Sequence, residues 1–220
     1  MTHPRLLDLF CGAGGCSVGY DRAGFDVTGV DIEDHPDYPF PFMREDARDV
    51  LWALIKGEIG PFDVVHASPP CQAFTAYRRR GDGVGNNYPD LIYTVRTLLN
   101  RWGGTYVIEN VPGAPLVNPV QFCGSSFGLD VRRHRLFESN APLMAPPCIH
   151  GTQRPRFAQA TNRANLRKTV EVGVWRIPLA VQQRAMGIDW MTLEDLTEAV
   201  PPAFTEHIGG QILDQMERAA

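Results

Sequence analysis

At 220 residues the chain has room for one substantial core and at most a small appended lobe. No apolar run reaches the ~18 residues of a membrane span, and "MTHPRLLDLF" lacks the charged-then-apolar layout of a signal peptide. The five cysteines, at 11, 16, 71, 123 and 148, are odd in number and scattered, with no CxxC pair, so neither a disulfide framework nor a metal is expected, and reduced thiols fit a cytoplasmic protein. The net charge of -4 argues weakly against nucleic acid, but its distribution matters more: residues 131 to 176 hold nine Lys/Arg against two acids, leaving 12 against 23 elsewhere.

In chain order, the first half alternates β-rich runs with helix-like stretches, the pattern of a mostly parallel sheet covered on both faces. "RLLDLF" (5 to 10) reads as a buried strand, Gly12 to Gly15 as a tight turn and Cys16 to Ala23 as a helix. "FDVTGVDI" (25 to 32) is a second strand, "DVLWALIK" (49 to 56) a helix and "PFDVVHAS" (61 to 68) a third strand. "PDLIYTVRTLLNRW" (89 to 102) is an amphipathic helix leading into the strand "TYVIENV" (105 to 111). The polar stretch "CQAFTAYRRRGDGVGNNY" (71 to 88), with three glycines and three arginines, is long enough to be expected as a functional lid. Periodicity fails from Glu138 to about Val172, which reads as an insert, and returns as helices over 178 to 188 and 203 to 219.

Ligands of open α/β sheets bind outside the carboxyl ends of the strands, where the glycine turn, Cys71 and Glu109 all fall. Glycines at 12, 14 and 15 let a backbone approach a ligand, and Asp31, about 20 residues on, is placed for ribose hydroxyls, although the spacing is not GxGxxG. Asp46 suits an adenine amino group or a helix N-cap equally. Cys71, behind two prolines, is either a nucleophile or a buried sulfur.

"LDLFCGAGG", "SPPCQ", "VIENVPG", "RRHRLF" and "AVPPAFTEHIG", in this order, resemble the DNA cytosine-5 methyltransferase family over about three-quarters of the chain. The resemblance implies a class I methyltransferase fold, α/β and Rossmann-like, with a mostly parallel seven-stranded sheet whose last strand is antiparallel. It divides the chain into a catalytic domain of residues 1–137 and 174–220 and a short target-recognition insert of residues 138–173. It further implies S-adenosylmethionine as methyl donor, bound by Phe10, Cys11, Gly12, Gly14, Gly15, Asp31, Ile32, Asp46, Pro70, Glu198 and Val200.

The implied acceptor is a cytosine flipped out of double-stranded DNA, with the protein acting as a monomer. Cys71 would add to cytosine C6, Glu109 would hold a proton on N3, Arg135 would meet the cytosine oxygen and Arg133 would support a phosphate or the thiolate. Gln72, Asn110, Arg78, Arg79 and Arg80, with Arg154, Arg156, Arg163, Arg167 and Lys168 of the insert, are the expected substrate contacts.

Three departures stand out: Val131 replaces the family's usual Gln, Thr197-Glu198 replaces Gly-Asn, and the insert is much reduced. A short or relaxed recognition sequence is therefore expected, in a restriction-modification or phage setting. The same chemistry on RNA or a free nucleotide, and a silent DNA-binding partner of another methyltransferase, remain as alternatives.

Overall fold

The computed structural model describes residues 3–70, 91–154 and 167–219, without the side chains of 152–154, 167 and 168. Cys71, Gln72, Arg78, Arg79, Arg80, Arg156 and Arg163 therefore lie outside the described residues. Among the described residues, seven strands form one sheet: β1 (Arg5–Leu9), β2 (Asp26–Asp31), β3 (Phe42–Arg44), β4 (Val64–Ala67), β5 (Thr105–Asn110), β6 (Val120–Phe122) and β7 (Arg135–Ser139). Their order is β3-β2-β1-β4-β5-β7-β6. β1 to β5 run parallel to one another, and β7 runs antiparallel to both β5 and β6. The sheet reverses its winding between β1 and β4, the kind of switch point where such sheets hold ligands.

The helices are α1 (Gly15–Ala23), α2 (Ala47–Lys56), α3 (Ile92–Trp102), α4 (Leu179–Met186), α5 (Leu193–Glu198) and α6 (Pro202–Ala219). Continuous apolar strands, buried on both faces, are what a parallel sheet requires. Leu7, Leu9, Val65 and Ile108 face α2 and α3, whereas Leu6, Val64 and Val107 face α1 and α6. A third cluster joins Ala13, Val131, Met186, Met191 and Leu196 and seats the α4–α5 segment over the glycine turn, with the Trp190 indole N–H donating to the Ala13 carbonyl at 2.8 Å.

α6 comes back to the first strand through α1: Ile208 and Ile212 share a cluster with Leu6, and the two helices lie against each other. Glycine makes that closeness possible. A Cβ on Gly19 would stand 2.0 Å from Thr205 Oγ1 and 2.2 Å from the Pro202 carbonyl, and one on Gly15 would stand 2.6 Å from the Val200 carbonyl.

The boundary of the insert moves. Glu138 is the penultimate residue of β7, buried and paired with Arg96 at 2.6 Å, and Asn140 is bonded to the backbone of Gly104 and Tyr106. An acid next to a run of prolines reads as a loop in sequence, but its ion pair with α3 keeps it in the sheet. Inside the insert, β8 (Gln153–Arg154) and β9 (Arg167–Lys168) form a separate parallel pair.

Candidate active site

A cavity of about 490 Å³ opens at the carboxyl ends of β1, β2, β4 and β5, a volume ordinary for a small-molecule site. β1 is followed by Phe10, Cys11, Gly12 and Ala13 in a turn with φ of 59° at Phe10, 49° at Gly12 and 87° at Gly14. Such angles are costly for residues with a Cβ, and here they fold the chain back over the strand end. The Asp31 carboxylate fixes the turn by accepting the Gly12 N–H at 3.0 Å. It also accepts the Glu33 N–H at 3.1 Å and stands 3.6 Å from His35.

Of the residues expected to hold the cofactor, Phe10, Cys11, Gly12, Gly15, Asp31, Ile32, Asp46, Pro70, Glu198 and Val200 all line this cavity. Gly14 does not; it stands behind the wall as the N-cap of α1, where a Cβ would lie 3.1 Å from Pro39 and Tyr38. Asp46 meets both of its readings, because it lines the cavity and also caps α2 by accepting the Arg48 N–H at 2.8 Å. The Arg48 guanidinium bonded to it holds its carboxyl below the usual range. Ile32 is apolar and 65% exposed, an open flat contact beside two acids.

At the other end of the cavity stand Glu109 and Arg135. Glu109 is the fifth residue of β5 and almost fully buried. Arg135 Nε lies 3.0 Å from Glu109 Oε1, yet that oxygen accepts no hydrogen bond from any described residue. Burial pushes the Glu109 carboxyl up, against the opposing pull of Arg135, the Ser68 hydroxyl and Arg133. The result is a carboxyl in the cavity wall whose protonated form burial favours, an arrangement that suits donation of a proton to a ring nitrogen.

Ser68 is held in turn. His66 Nε2 lies 3.0 Å from Ser68 Oγ and His66 Nδ1 lies 3.0 Å from Tyr20 Oη. Burial pushes His66 down to about 3, so its ring is neutral. With Tyr20 donating to Nδ1 and the ring N–H donating to Ser68, the serine hydroxyl is left to donate to Glu109. Sequence reading did not find this Tyr20–His66–Ser68 line, since a histidine within an apolar strand has no motif of its own.

Asn110, an expected substrate contact, and Arg133, an expected catalytic residue, are both bonded to the scaffold. Asn110 is buried; its amide N–H donates to the Pro69 carbonyl at 2.8 Å and its oxygen accepts the Val111 N–H at 3.0 Å, so both ends are used within the protein. It fixes the prolines that precede Cys71. Arg133 donates to the carbonyls of Ala199 at 2.8 Å, Leu196 at 3.3 Å and Thr197 at 2.6 Å. Those carbonyls end α5 and collect a cation there. Arg133 thereby braces the end of α5 beside Glu198 and Val200. Arg154, Arg167 and Lys168 lie on the paired strands β8 and β9.

Comparison with known proteins agrees with this geometry. The family model for C-5 cytosine-specific DNA methylases matches residues 4–118. The Type II methyltransferase M.XorII of Xanthomonas oryzae pv. oryzae is 33% identical over 134 residues, 56% of this chain and 31% of that protein. M.AgeI of Thalassovita gelatinovora is 26% identical over 166 residues, 60% of this chain and 38% of its own length. The chain thus spans about a third of the length of both relatives. The solved structure of the Entamoeba histolytica methyltransferase EhMeth superposes with a TM-score of 0.61 at 12% identity, covering 98% of this chain and 99% of that one, a likeness of fold.

Proposed function

The chain belongs to the C-5 cytosine-specific DNA methylase family, and from that premise we propose that it methylates C5 of a cytosine flipped out of duplex DNA, with S-adenosylmethionine as donor and a short or relaxed recognition sequence. The observation that carries the reading is Glu109, a carboxyl pushed up by burial and paired with Arg135 in the wall of a cavity that begins at the glycine turn and also contains Pro70, the residue bonded to Cys71.

The cavity fits the donor by its chemistry. Asp31 suits a ribose diol, Ile32 the face of a purine and Asp46 an exocyclic amine, and the acids Glu33, Asp195 and Glu198 favour a cation in the same space. When bound, S-adenosylmethionine supplies an electrophilic methyl group.

The protein's own part is to make C5 attack it. The Cys71 thiolate adds to C6 while Glu109 gives its proton to N3, so the electron pair of the C5–C6 double bond becomes available at C5. Arg135, beside Glu109, would hold the exocyclic oxygen of the same ring and keep N3 in line with the carboxyl. After methylation, loss of the C5 proton to a base, departure of the thiolate and return of the N3 proton to Glu109 restore the aromatic ring and free both Cys71 and the carboxyl. Arg154, Arg167 and Lys168 on the paired insert strands, with Arg156 and Arg163 between them, would meet phosphates, and Gln72 and Arg78 to Arg80 would meet DNA beside Cys71. In this reading the protein acts as a monomer in the cytoplasm. Among the described residues no helix is long and apolar enough to cross a membrane.

The test is transfer of labelled methyl to unmethylated duplex DNA with base-resolution mapping, for the native protein and Cys71→Ser. Label at cytosine C5 within a short context, absent from the mutant, is the expected result. Label on RNA or free nucleotide alone would reassign the acceptor, and no label on any of them from folded protein would leave a silent DNA-binding partner.

A further inference from the structure

Away from the cavity, four side chains of metal-binding type converge: Cys123, His134, Cys148 and His150 have one ligand atom each within 4.8 Å of one another. His150 Nε2 lies 3.2 Å from Cys123 Sγ, His134 Nε2 lies 3.6 Å from Cys148 Sγ, and the two imidazole rings are 5.1 Å apart. A tetrahedral zinc ion with bonds of about 2.0–2.3 Å sets its ligand atoms about 3.3–3.8 Å apart, close to the 3.2 Å and 3.6 Å of the two Cys–His pairs, and the whole set lies within 4.8 Å. We propose that these residues form a Cys2His2 zinc site that fastens the root of the insert to the strand carrying Arg135.

Geometry and backbone support agree. Cys123 follows β6, His134 immediately precedes β7, and Cys148 and His150 lie in the loop that opens the insert. That loop is held in place independently of any ion. Ser125 Oγ lies 3.1 Å from Cys123 Sγ and accepts the Ile149 N–H at 3.0 Å, and Ser126 Oγ donates to the Pro147 carbonyl at 2.8 Å. Gln211 of α6 brackets Met144, accepting its N–H at 2.8 Å and donating to its carbonyl at 3.1 Å. Supporting bonds of this kind orient ligands before metal arrives.

Two thiols each give up a proton on binding, so two thiolates balance the charge of Zn²⁺ and two neutral imidazoles complete the shell with no open position for a water. The site is thus structural. An insert of this length cannot build a core of its own, and a metal is a common substitute. Sequence reading expected no metal because the ligands are separated by 10, 13 and 1 residues, without a CxxC pair.

The experiment is metal analysis of the whole protein, purified under reducing conditions and loaded with Zn²⁺, together with the absorption spectrum of its Co²⁺ form. One equivalent of zinc per chain is expected, with the intense visible bands and thiolate charge-transfer of tetrahedral S2N2 cobalt. Cys148→Ser with His150→Ala should lower zinc to under a tenth of an equivalent, while Cys71→Ser, outside the cluster, keeps it. Folded native protein without stoichiometric zinc, an octahedral cobalt spectrum, zinc retained by the cluster variant, or a Cys123–Cys148 disulfide would each overturn the proposal. Should the variant not fold, the native stoichiometry and cobalt spectrum decide. None of these readouts depends on methyl transfer.

Discussion

Glu109 and Ser68 form a pair whose effect on rate is readable in a pH profile. The protonated carboxyl is the useful form, so turnover should fall as pH rises through the Glu109 pKa, which burial holds above that of an ordinary glutamate. The Ser68 hydroxyl favours the carboxylate and lowers that pKa. Ser68→Ala should therefore shift the alkaline fall of the single-turnover rate to higher pH, whereas Glu109→Gln should lower the rate by about 10²–10⁴-fold and abolish that limb. An unshifted limb in Ser68→Ala would mean that the serine does not touch the titrating group. Asn110 and Arg133 carry the complementary lesson. Amides and guanidiniums bind substrates and carbonyls with the same geometry, so nothing in "VIENVPG" or "RRHRLF" distinguishes a residue that touches DNA from one that fixes a loop.

Between α1 and α6 the decisive quantity is missing volume. Gly19→Ala would push a methyl group into the Thr205 hydroxyl and the Pro202 carbonyl, one a β-branched side chain and the other backbone, so neither yields cheaply. A loss of about 1–3 kcal/mol in urea unfolding is expected, and because α6 follows directly on Val200, weaker cofactor binding should accompany it. The longer elements were legible in sequence because each has a clear period: the strands over 5 to 10, 25 to 32 and 105 to 111 and the helices over 49 to 56 and 203 to 219 are all observed within a few residues. The ones that escaped are short. β3 and β6 have three residues each and α5 six, too few for a period to register; β3 and β6 form by pairing with neighbouring strands, whereas α5 starts at its own Thr192–Asp195 capping box. The glycine turn and Glu109 were legible for a different reason, since both fall at strand ends where a sheet of this winding holds its ligands.

For the molecule as a whole, two buried groups tilt stability against pH in opposite senses. Asp8, wholly buried with Ser17 donating to it at 2.5 Å, is pushed up to about 7 by burial, from an ordinary value near 3.8. The native state then binds the extra proton, so this group's contribution is full below pH 4 and is lost as pH rises to about 7. His66, pushed down to about 3, contributes in the reverse sense: full above 6.5 and lost as pH falls towards 3. Each gives a slope of up to about 1.4 kcal/mol per pH unit, and between roughly pH 4 and 6.5 they cancel. Compared with the native protein, His66→Gln should lose stability more steeply as pH rises over that window, and Asp8→Asn as pH falls through it. Urea unfolding at stepped pH measures both, and parallel curves for all three proteins would remove the two groups as the cause.

The cavity draws its walls from residues almost two hundred positions apart: Phe10 and Gly12 on one side, Met191, Glu198 and Val200 on the other. During synthesis this imposes an order of events. A nascent chain that has cleared the ribosome as far as Asn140 can already pair all seven strands, with Glu109 and Arg135 in place, while the wall that closes over the glycine turn is still untranslated. On this geometry, a ligand in the cavity meets its second wall only when the α5 segment emerges and docks, so a ribosome-bound half-protein would present an open cleft at the glycine turn.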